Sequence, residues 1–488
     1  MRYEKYLKAL LLLVLIYSPY FLHLGNLPVR AWDEARLIAN AWEMHENGNY
    51  LVTHFHGSPD MWNTKPPLMI WMQVLSLNVI GDEELAYRLP SAIAGFLLCI
   101  IIVLISARYL KNYWFGLFTV LILITSTGHI GEHVARTGDY DSLLTFFMVS
   151  GLLIFFLYTE TGKLKYLHLF FLSVILAVFT KSVQGLLFAP AMLIYALSVK
   201  RTRKLLTGKW LYIDALITAA VIVGYYLARE SVNPGYIEAV HNNELGGRML
   251  ETIEGHTGPV TYYTDLLINS QFRLYFILPL IGFFTSFFAE DQKFRRFIRY
   301  ISLTALLYLL IMSVAKTKLA WYSAPLIPLL AFMAAATVYV IYSSLLTFLS
   351  GNRLKQLLAG VLFVVLVFGY PYYLIIDEVY QPKEKAEGFH FTLISHFLKD
   401  GLKGDFELNN TKLRYSDYTG HLEYYIRRMN EKGINIHLSR DNDIRPGDKV
   451  IAALGGDKEF LRKNYHTRDL LNYYHIVVLQ VDSLKQIK

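Results

Sequence analysis

A single cysteine, Cys99, stands inside an apolar run. One cysteine can form neither an intramolecular disulfide nor a cysteine-based metal cluster, and a free cysteine in apolar surroundings is ordinarily a packing residue. Charge is also scarce. Asp, Glu, Lys and Arg make up 18% of the 488 residues, against about 25% in soluble globular proteins. The signatures of several chemistries are missing: there is no P-loop, no GxGxxG after a strand, no HExxH and no GxSxG, so nothing marks a nucleotide cradle, a zinc peptidase or a serine hydrolase. No internal repeat and no low-complexity segment occurs.

What is present is apolar. Hydrophobic residues make up 54% and aromatics 15% of the chain, with mean hydropathy +0.34. Apolar runs of about 16 to 25 residues recur, and a helix needs roughly 20 to cross a bilayer. The fold class expected is an α-helical polytopic membrane protein with about eleven spanning helices, at most about thirteen. They fall near 8–24, 89–108, 114–130, 142–158, 166–180, 184–199, 211–228, 269–289, 300–315, 323–348 and 357–376. The first run follows a basic stretch, "MRYEKYLK", but no small-residue cleavage site precedes "LPVRAWDE", so it reads as an uncleaved helix.

The formal charge is +8, which could suggest nucleic acid. The basic residues instead sit in short blocks between apolar runs, at 108–112, 162–165, 200–209, 291–299 and 352–355. With the N-terminus inside, all of these loops are cytoplasmic, as the positive-inside rule asks. Three segments then lie outside: a first loop at 25–88, a second at 229–268 and a tail at 377–488. The expected division is a membrane domain over 1–376 and an extracytoplasmic domain over 377–488. The tail alternates strand-like "KVIAAL" and "HIVVLQV" with helical "GFHFTLISHFLKDGL" and "SDYTGHLEYYIRRMNEKG", which predicts a small α/β unit.

The first loop holds "AWDEARLIANAWEMHENGNY". Leu37, Ile38, Ala41 and Trp42 share one helical face over 33–47, with Gly48 as C-cap. This predicts an interfacial helix lying on the outer leaflet. Asp33 and Glu34 begin it, where the helix dipole favours an ionised carboxylate. Such a pair is commonly a capping device, and it can equally supply a general base. Farther on, Pro66 and Pro67 suit the first turn of a helix over 68–80. Lys65 just before it reads either as a snorkelling lysine or as a phosphate ligand at a helix N-terminus.

Other outer residues add to this. "EHVARTGDYDSLLTFF" places Arg136, Asp139 and Asp141 at the mouth of a helix, where each Asp could be its N-cap. "FTKSVQGLLF" places Lys181 at an outer turn. "AKTKLAWYSAPLIPLLAF" places Lys316, Lys318, Trp321 and Tyr322 just outside another helix; aromatics at that depth are ordinarily belt residues. His54, His56, His241 and His256 read as hydrogen-bonded loop histidines, with a zinc site shared between loops as the alternative. Carboxylates and cations gathered on one outer surface suit transfer of a sugar away from a lipid phosphate: a base deprotonates the acceptor, and cations hold the charge developing on the phosphate. A transporter or flippase would instead place ionisable residues within the spanning helices and show paired broken helices.

The motifs "AWDEARLIANAWEM…WNTKPPLMIWMQ…DEELAYRLPSA", "ARTGDYDSLLTFF", "TKSVQGLL" and "KTKLAWYSAPLIPLLAF" occur in that order. Together, over about residues 1–350, they resemble the lipid-dependent C-superfamily membrane glycosyltransferases. The nearest likeness is to aminoarabinose–lipid A transferases and bacterial relatives of protein O-mannosyltransferases. The resemblance implies Asp33 as catalytic base, Glu34 as its paired neighbour and Asp141 as the second acid, with Asp139 competing for that place. It implies Lys65, Arg136, Lys318 and Tyr322 around the sugar donor's phosphate. Lys181 matches a basic residue of the family, although "KSVQG" departs from the usual "KGP". It further implies a polyprenyl-phosphate (undecaprenyl-phosphate type) sugar donor, a lipid A, glycan or protein acceptor, an inverting displacement and a place in the cytoplasmic membrane. It implies no nucleic acid partner. Some relatives bind a divalent metal, so a metal is left open and no other cofactor is expected.

Overall fold

The structure is a computed structural model that describes residues 2–246, 252, 255–380, 390–440 and 443–485. Parts of the expected second outer loop (247–251, 253 and 254) and of the tail (381–389, 441–442 and 486–488) lie outside the described residues.

In chain order the α-helices of eight residues or more before the tail are α1 (Arg2–Phe21), α2 (Asp33–Asn47), α3 (Leu68–Ile80), α4 (Glu84–Arg108), α5 (Tyr113–Ile124), α6 (Asp141–Thr161), α7 (Leu164–Lys181), α8 (Ala189–Ser198), α9 (Lys209–Val232), α10 (Leu278–Thr285), α11 (Gln292–Val314), α12 (Leu326–Phe348) and α13 (Arg353–Tyr380). Among the described residues seven helices are long and apolar enough to cross a membrane: α4, α6, α7 with its 3-10 extension to Leu186, α9, α11, α12 and α13. They correspond to seven of the expected runs.

The other four expected runs are shorter or divided. Leu10–Phe21, α5 and α8 are short apolar helices. The run 269–289 is split between a π-helical turn, Leu267–Gln271, and the eight-residue α10. Hydropathy counts apolar residues and is blind to where the hydrogen-bond ladder restarts. Pro190 and Pro279 each sit in a first helical turn, because proline has no N–H to continue a ladder but fits where a new one begins.

The tail holds α14 (His390–Lys403), α15 (Gly420–Glu431) and α16 (Gly455–Asn464). Apart from a two-residue hairpin pair in the first loop, β1 (His54–Phe55) and β2 (Ser58–Pro59), the strands are β3 (Thr411–Arg414), β4 (Ile436–Leu438), β5 (Lys449–Ala452), β6 (Tyr465–Tyr473) and β7 (Ile476–Leu484). They form one sheet in the order β4-β3-β5-β7-β6. β3 runs parallel to β4 and β5, and β7 pairs antiparallel with β5 and β6. The edge strand β6 carries no clear apolar alternation, and sequence patterning missed it.

One expectation needs correcting here. The apolar face of α2 does not lie on lipid. Leu37, Ile38, Ala41 and Met44 are buried, in one cluster with Met69, Ile70 and Val74 of α3 and with Leu393, Ile394, Phe397 and Tyr425 of the tail. Amphipathicity fixes which face of a helix is covered and leaves open whether lipid or protein covers it. The first loop is therefore held between the membrane helices and the tail.

Candidate active site

α2 begins with two carboxylates in opposite environments. Glu34 is buried. Its oxygens take the Arg88 guanidinium at 2.7 and 2.8 Å and accept the backbone N–H groups of Arg30 and Gly138 at 2.8 and 2.7 Å. Burial alone would raise its pKa, but the charge and hydrogen bonds of Arg88 and these two amides hold it below its ordinary value. Gly138 has to be glycine: a Cβ there would come within 2.9 Å of the Tyr87 carbonyl oxygen. Glu34 is thus spent on tying α2 to α4 and to the 137–140 turn. Asp33 has a side chain 48% exposed and faces a cleft.

The cleft brings together Asp33, Arg36, Trp62, Asn63, Lys65, Asp139, Tyr140, Lys181, Trp321 and Tyr322. They come from four widely separated parts of the chain. Lys65 enters on the loop before α3. Arg36 forks onto Asp60 at 2.7 and 2.8 Å, and Asp60 accepts the N–H groups of Trp62 and Asn63, so α2 itself orders the loop that presents Lys65. The Lys65 ammonium lies 3.4 Å from Glu244 and 5.3 Å from the centre of the Tyr140 ring.

Lys181 ends α7. Its ammonium donates to both oxygens of Asp141, at 2.7 and 2.6 Å, and lies 5.1 Å from the Tyr322 ring centre. The geometry after Lys181 is set locally. The chain turns back sharply at Ser182, with φ 51°, and Gly185 packs so close to α7 that a Cβ would meet the Ala177 carbonyl carbon at 2.6 Å. The glycine that matters in "KSVQG" is therefore the last residue of that stretch.

Asp139 and Asp141 are both buried; Asp139 lines the cleft, and Asp141 lies against Lys181. Asp139 accepts from His133 Nδ1 at 2.7 Å, and His133 Nδ1 also lies 3.8 Å from Asp33. Burial would lower the His133 pKa, but its bond to Asp139 and the charges of Asp139, Asp33 and Glu132 push it up to about 9. The same pairing, with help from Lys181 and the Tyr140 N–H, holds Asp139 below its ordinary value against the effect of burial. Trp321 stacks on the imidazole, centroids 3.8 Å apart and planes at 20°. It is a wall of the site.

Two expected phosphate ligands are occupied elsewhere. The Arg136 guanidinium donates to the carbonyls of Pro19, Tyr20 and Leu22, closing the C-terminus of α1. The Lys318 ammonium donates to the carbonyls of Met312, Ser313 and Ala315 at the end of α11. Both follow one rule: orphan carbonyls of a helix end are satisfied by a nearby cation. Of the loop histidines, His56 pairs with Glu423 of the tail at 2.8 Å, and His54 contacts Asn47.

Sequence reading missed His133, Asp60, Asn63 and Glu244. His133 offered one signal, its place three residues before Arg136 in an already quoted motif. Its backbone lies at φ 62°, a strained region for a residue with a Cβ, as does that of Trp32 at φ 66°. Such outliers gather at functional sites. Asp33, His133 and Asp139 present ligand atoms within 4.8 Å of one another. One imidazole and two carboxylates suit a divalent cation, which would compete with a proton for His133.

Comparison with known proteins follows the same lines. The dolichyl-phosphate-mannose-protein mannosyltransferase family matches residues 64–226. An uncharacterized protein of Aquifex aeolicus is 26% identical over 328 residues, 67% of this chain and 63% of that protein. The undecaprenyl phosphate-alpha-4-amino-4-deoxy-L-arabinose arabinosyl transferase of Shewanella sediminis is 24% identical over 70% of this chain and 60% of its own length. The chain thus spans less than two thirds of these curated relatives. The crystal structure of ArnT from Cupriavidus metallidurans bound to undecaprenyl phosphate superposes with TM-score 0.69 at 16% identity, covering 98% of this chain and 99% of that one. The apo oligosaccharyltransferase of Archaeoglobus fulgidus gives 0.52 at 12% identity, covering 95% and 73%. In fold the chain is similar to these solved membrane glycosyltransferases, and in sequence it resembles the mannosyltransferase and arabinosyl transferase relatives.

Proposed function

We propose that the protein is an integral membrane glycosyltransferase that moves a sugar from a polyprenyl-phosphate donor to an acceptor hydroxyl or phosphate on the outer face of the cytoplasmic membrane. The observation that carries this reading is the meeting of an accessible carboxylate, Asp33, with two ammonium groups, Lys65 and Lys181, in one cleft. The positive-inside pattern supports a cleft on the outer side, with the N-terminus in the cytoplasm. The solved neighbour with undecaprenyl phosphate and the undecaprenyl phosphate-aminoarabinose transferase relatives support a lipid-linked donor, and the acceptor in this reading is a lipid, a glycan or a protein.

In this reading Asp33 takes the proton from the acceptor hydroxyl as its oxygen attacks the anomeric carbon. The bond from that carbon to the phosphate oxygen breaks, and the electron pair leaves on the lipid phosphate. Lys65 and Lys181 stabilise the negative charge that develops there, with Tyr322 beside them. Attack opposite the leaving group inverts the anomeric centre. Asp141 fixes the Lys181 ammonium, and Glu34 fixes the start of α2. Asp33, His133 and Asp139 are the residues that would hold a divalent cation, which when bound supplies positive charge next to the phosphate.

The test is release of polyprenyl phosphate from a panel of polyprenyl-phosphate sugars by the purified protein, with membrane extract as acceptor. Release by wild type and not by Asp33→Asn supports the reading and names the sugar. Absence of release from every donor by folded protein overturns it in favour of a transporter.

A further inference from the structure

Among the described residues the tail supplies no side chain to the lining of the cleft, yet it touches the residue on which Asp33 hangs. Trp32 immediately precedes Asp33 and caps α2 with φ 66° and ψ −110°. A residue with a Cβ held there stores strain that its surroundings must outweigh. Two tail residues supply the contacts: Tyr418 stacks flat on the indole, centroids 4.4 Å apart and planes at 17°, and Phe391 meets it edge-on at 5.7 Å. The Trp32 carbonyl accepts the first helical N–H of α2, from Arg36 at 2.9 Å. The Tyr418 hydroxyl adds one long hydrogen bond, 3.4 Å, to that same carbonyl.

The rest of the first loop is clasped by the same tail. Tyr425 accepts the N–H of Val29 at 2.8 Å, Glu423 pairs with His56, and the Arg427 guanidinium lies 4.2 Å from the Trp42 ring centre. These contacts fix the loop on either side of α2 and, at Trp42, the helix itself. Its first residue, Asp33, is half exposed and lies 3.8 Å from His133; among the described residues of the tail, Tyr418 and Phe391 hold the residue just before it.

We propose that Tyr418 is a positioning residue for Asp33, acting through the strained Trp32, so that the tail domain sets the aim of the base without touching substrate. The inference rests on the proposed role of Asp33. Releasing the stack lets Trp32 relax to an ordinary backbone conformation and turns the Asp33 carboxylate out of line with the cleft. A displacement of about 1 Å at a reacting group costs on the order of a hundredfold in rate.

The experiment compares Tyr418→Ala and Tyr418→Phe in the full-length protein in detergent, read by transfer kinetics and by hydrogen exchange over residues 32–38. Expected for Tyr418→Ala is a fall in kcat of about tenfold to a hundredfold, an unchanged KM for the sugar donor, and faster exchange at the Arg36 amide with the tail sheet still protected. Expected for Tyr418→Phe, which keeps the stack, is wild-type behaviour within about twofold. Equal loss in both variants, or no change in exchange at Arg36 in the Ala variant, overturns the proposal. A wild-type protein inert toward every sugar donor, with the exchange difference intact, removes the transferase reading and leaves the tail's hold on Trp32 standing.

Discussion

The Glu34 carboxylate is clasped by the Arg88 guanidinium at 2.7 and 2.8 Å, one residue away from an Asp33 side chain that is 48% exposed. The two acids should therefore fail in different ways. Asp33→Asn is expected to lower turnover by about 10²- to 10⁴-fold, the usual contribution of a general base, with the thermal transition unmoved. Glu34→Ala leaves a buried arginine without its partner, which costs about 3–5 kcal/mol and shows first as lost folded protein. Parallel melting curves and turnover measurements separate them. A stable, inactive Glu34→Ala would return that residue to the chemistry.

Lys65 and Glu244 make a second pair whose halves act oppositely. With the ammonium 3.4 Å from the carboxylate, an incoming phosphate competes with Glu244 for the same charge. Lys65→Ala should weaken binding of the sugar donor by about 10- to 100-fold, the range for a charge-assisted hydrogen bond. Glu244→Gln should tighten it by a few-fold, as the competitor loses its charge. Titration of a polyprenyl-phosphate ligand by tryptophan fluorescence reads both. Weaker binding in Glu244→Gln would mean that the carboxylate orders Lys65 instead of competing with the ligand.

Asp141 holds Lys181 from behind. Asp141→Asn keeps the shape and removes the charge, so it should lower turnover while the protein stays folded. Lys181→Ala leaves a buried carboxylate unpaired and should destabilise the fold by about 3–5 kcal/mol. The double variant Lys181→Met with Asp141→Leu should recover most of that stability and none of the activity. If stability fails to recover, the pair serves the fold more broadly than the site.

Topology is checked with cysteines, because the native Cys99 is fully buried and gives no background. Ser58→Cys, exposed in the first loop, should react with an impermeant maleimide in intact spheroplasts. Thr207→Cys, exposed in a basic loop, should react only after permeabilisation. The reverse pattern would put the cleft in the cytoplasm and remove the proposed donor from reach.

Much was fixed by the sequence alone, for reasons that are local. Apolar runs betray spanning helices because the bilayer core leaves backbone groups no water to bond. Gly48 marks the end of α2 because it adopts the left-handed conformation, φ 66°, that its cap requires. The Pro66–Pro67 pair marks the start of α3 at Leu68. Asp33 and Lys65 were legible because an acid at a helix start and a lysine before a proline pair are written in neighbouring letters.

Tertiary structure decided everything that depends on which distant residue lies opposite. It buried Glu34 against Arg88 and left Asp33 open, although the sequence presents them as equals. It spent Arg136 and Lys318 on helix-end carbonyls, and it chose Asp139 over Asp141 for the cleft. It brought in His133, which no spacing rule picks out, and it covered the apolar face of α2 with the tail in place of lipid. A charge is assigned by its nearest partners within a few ångströms, and those partners are set by how helices far apart in the chain pack together.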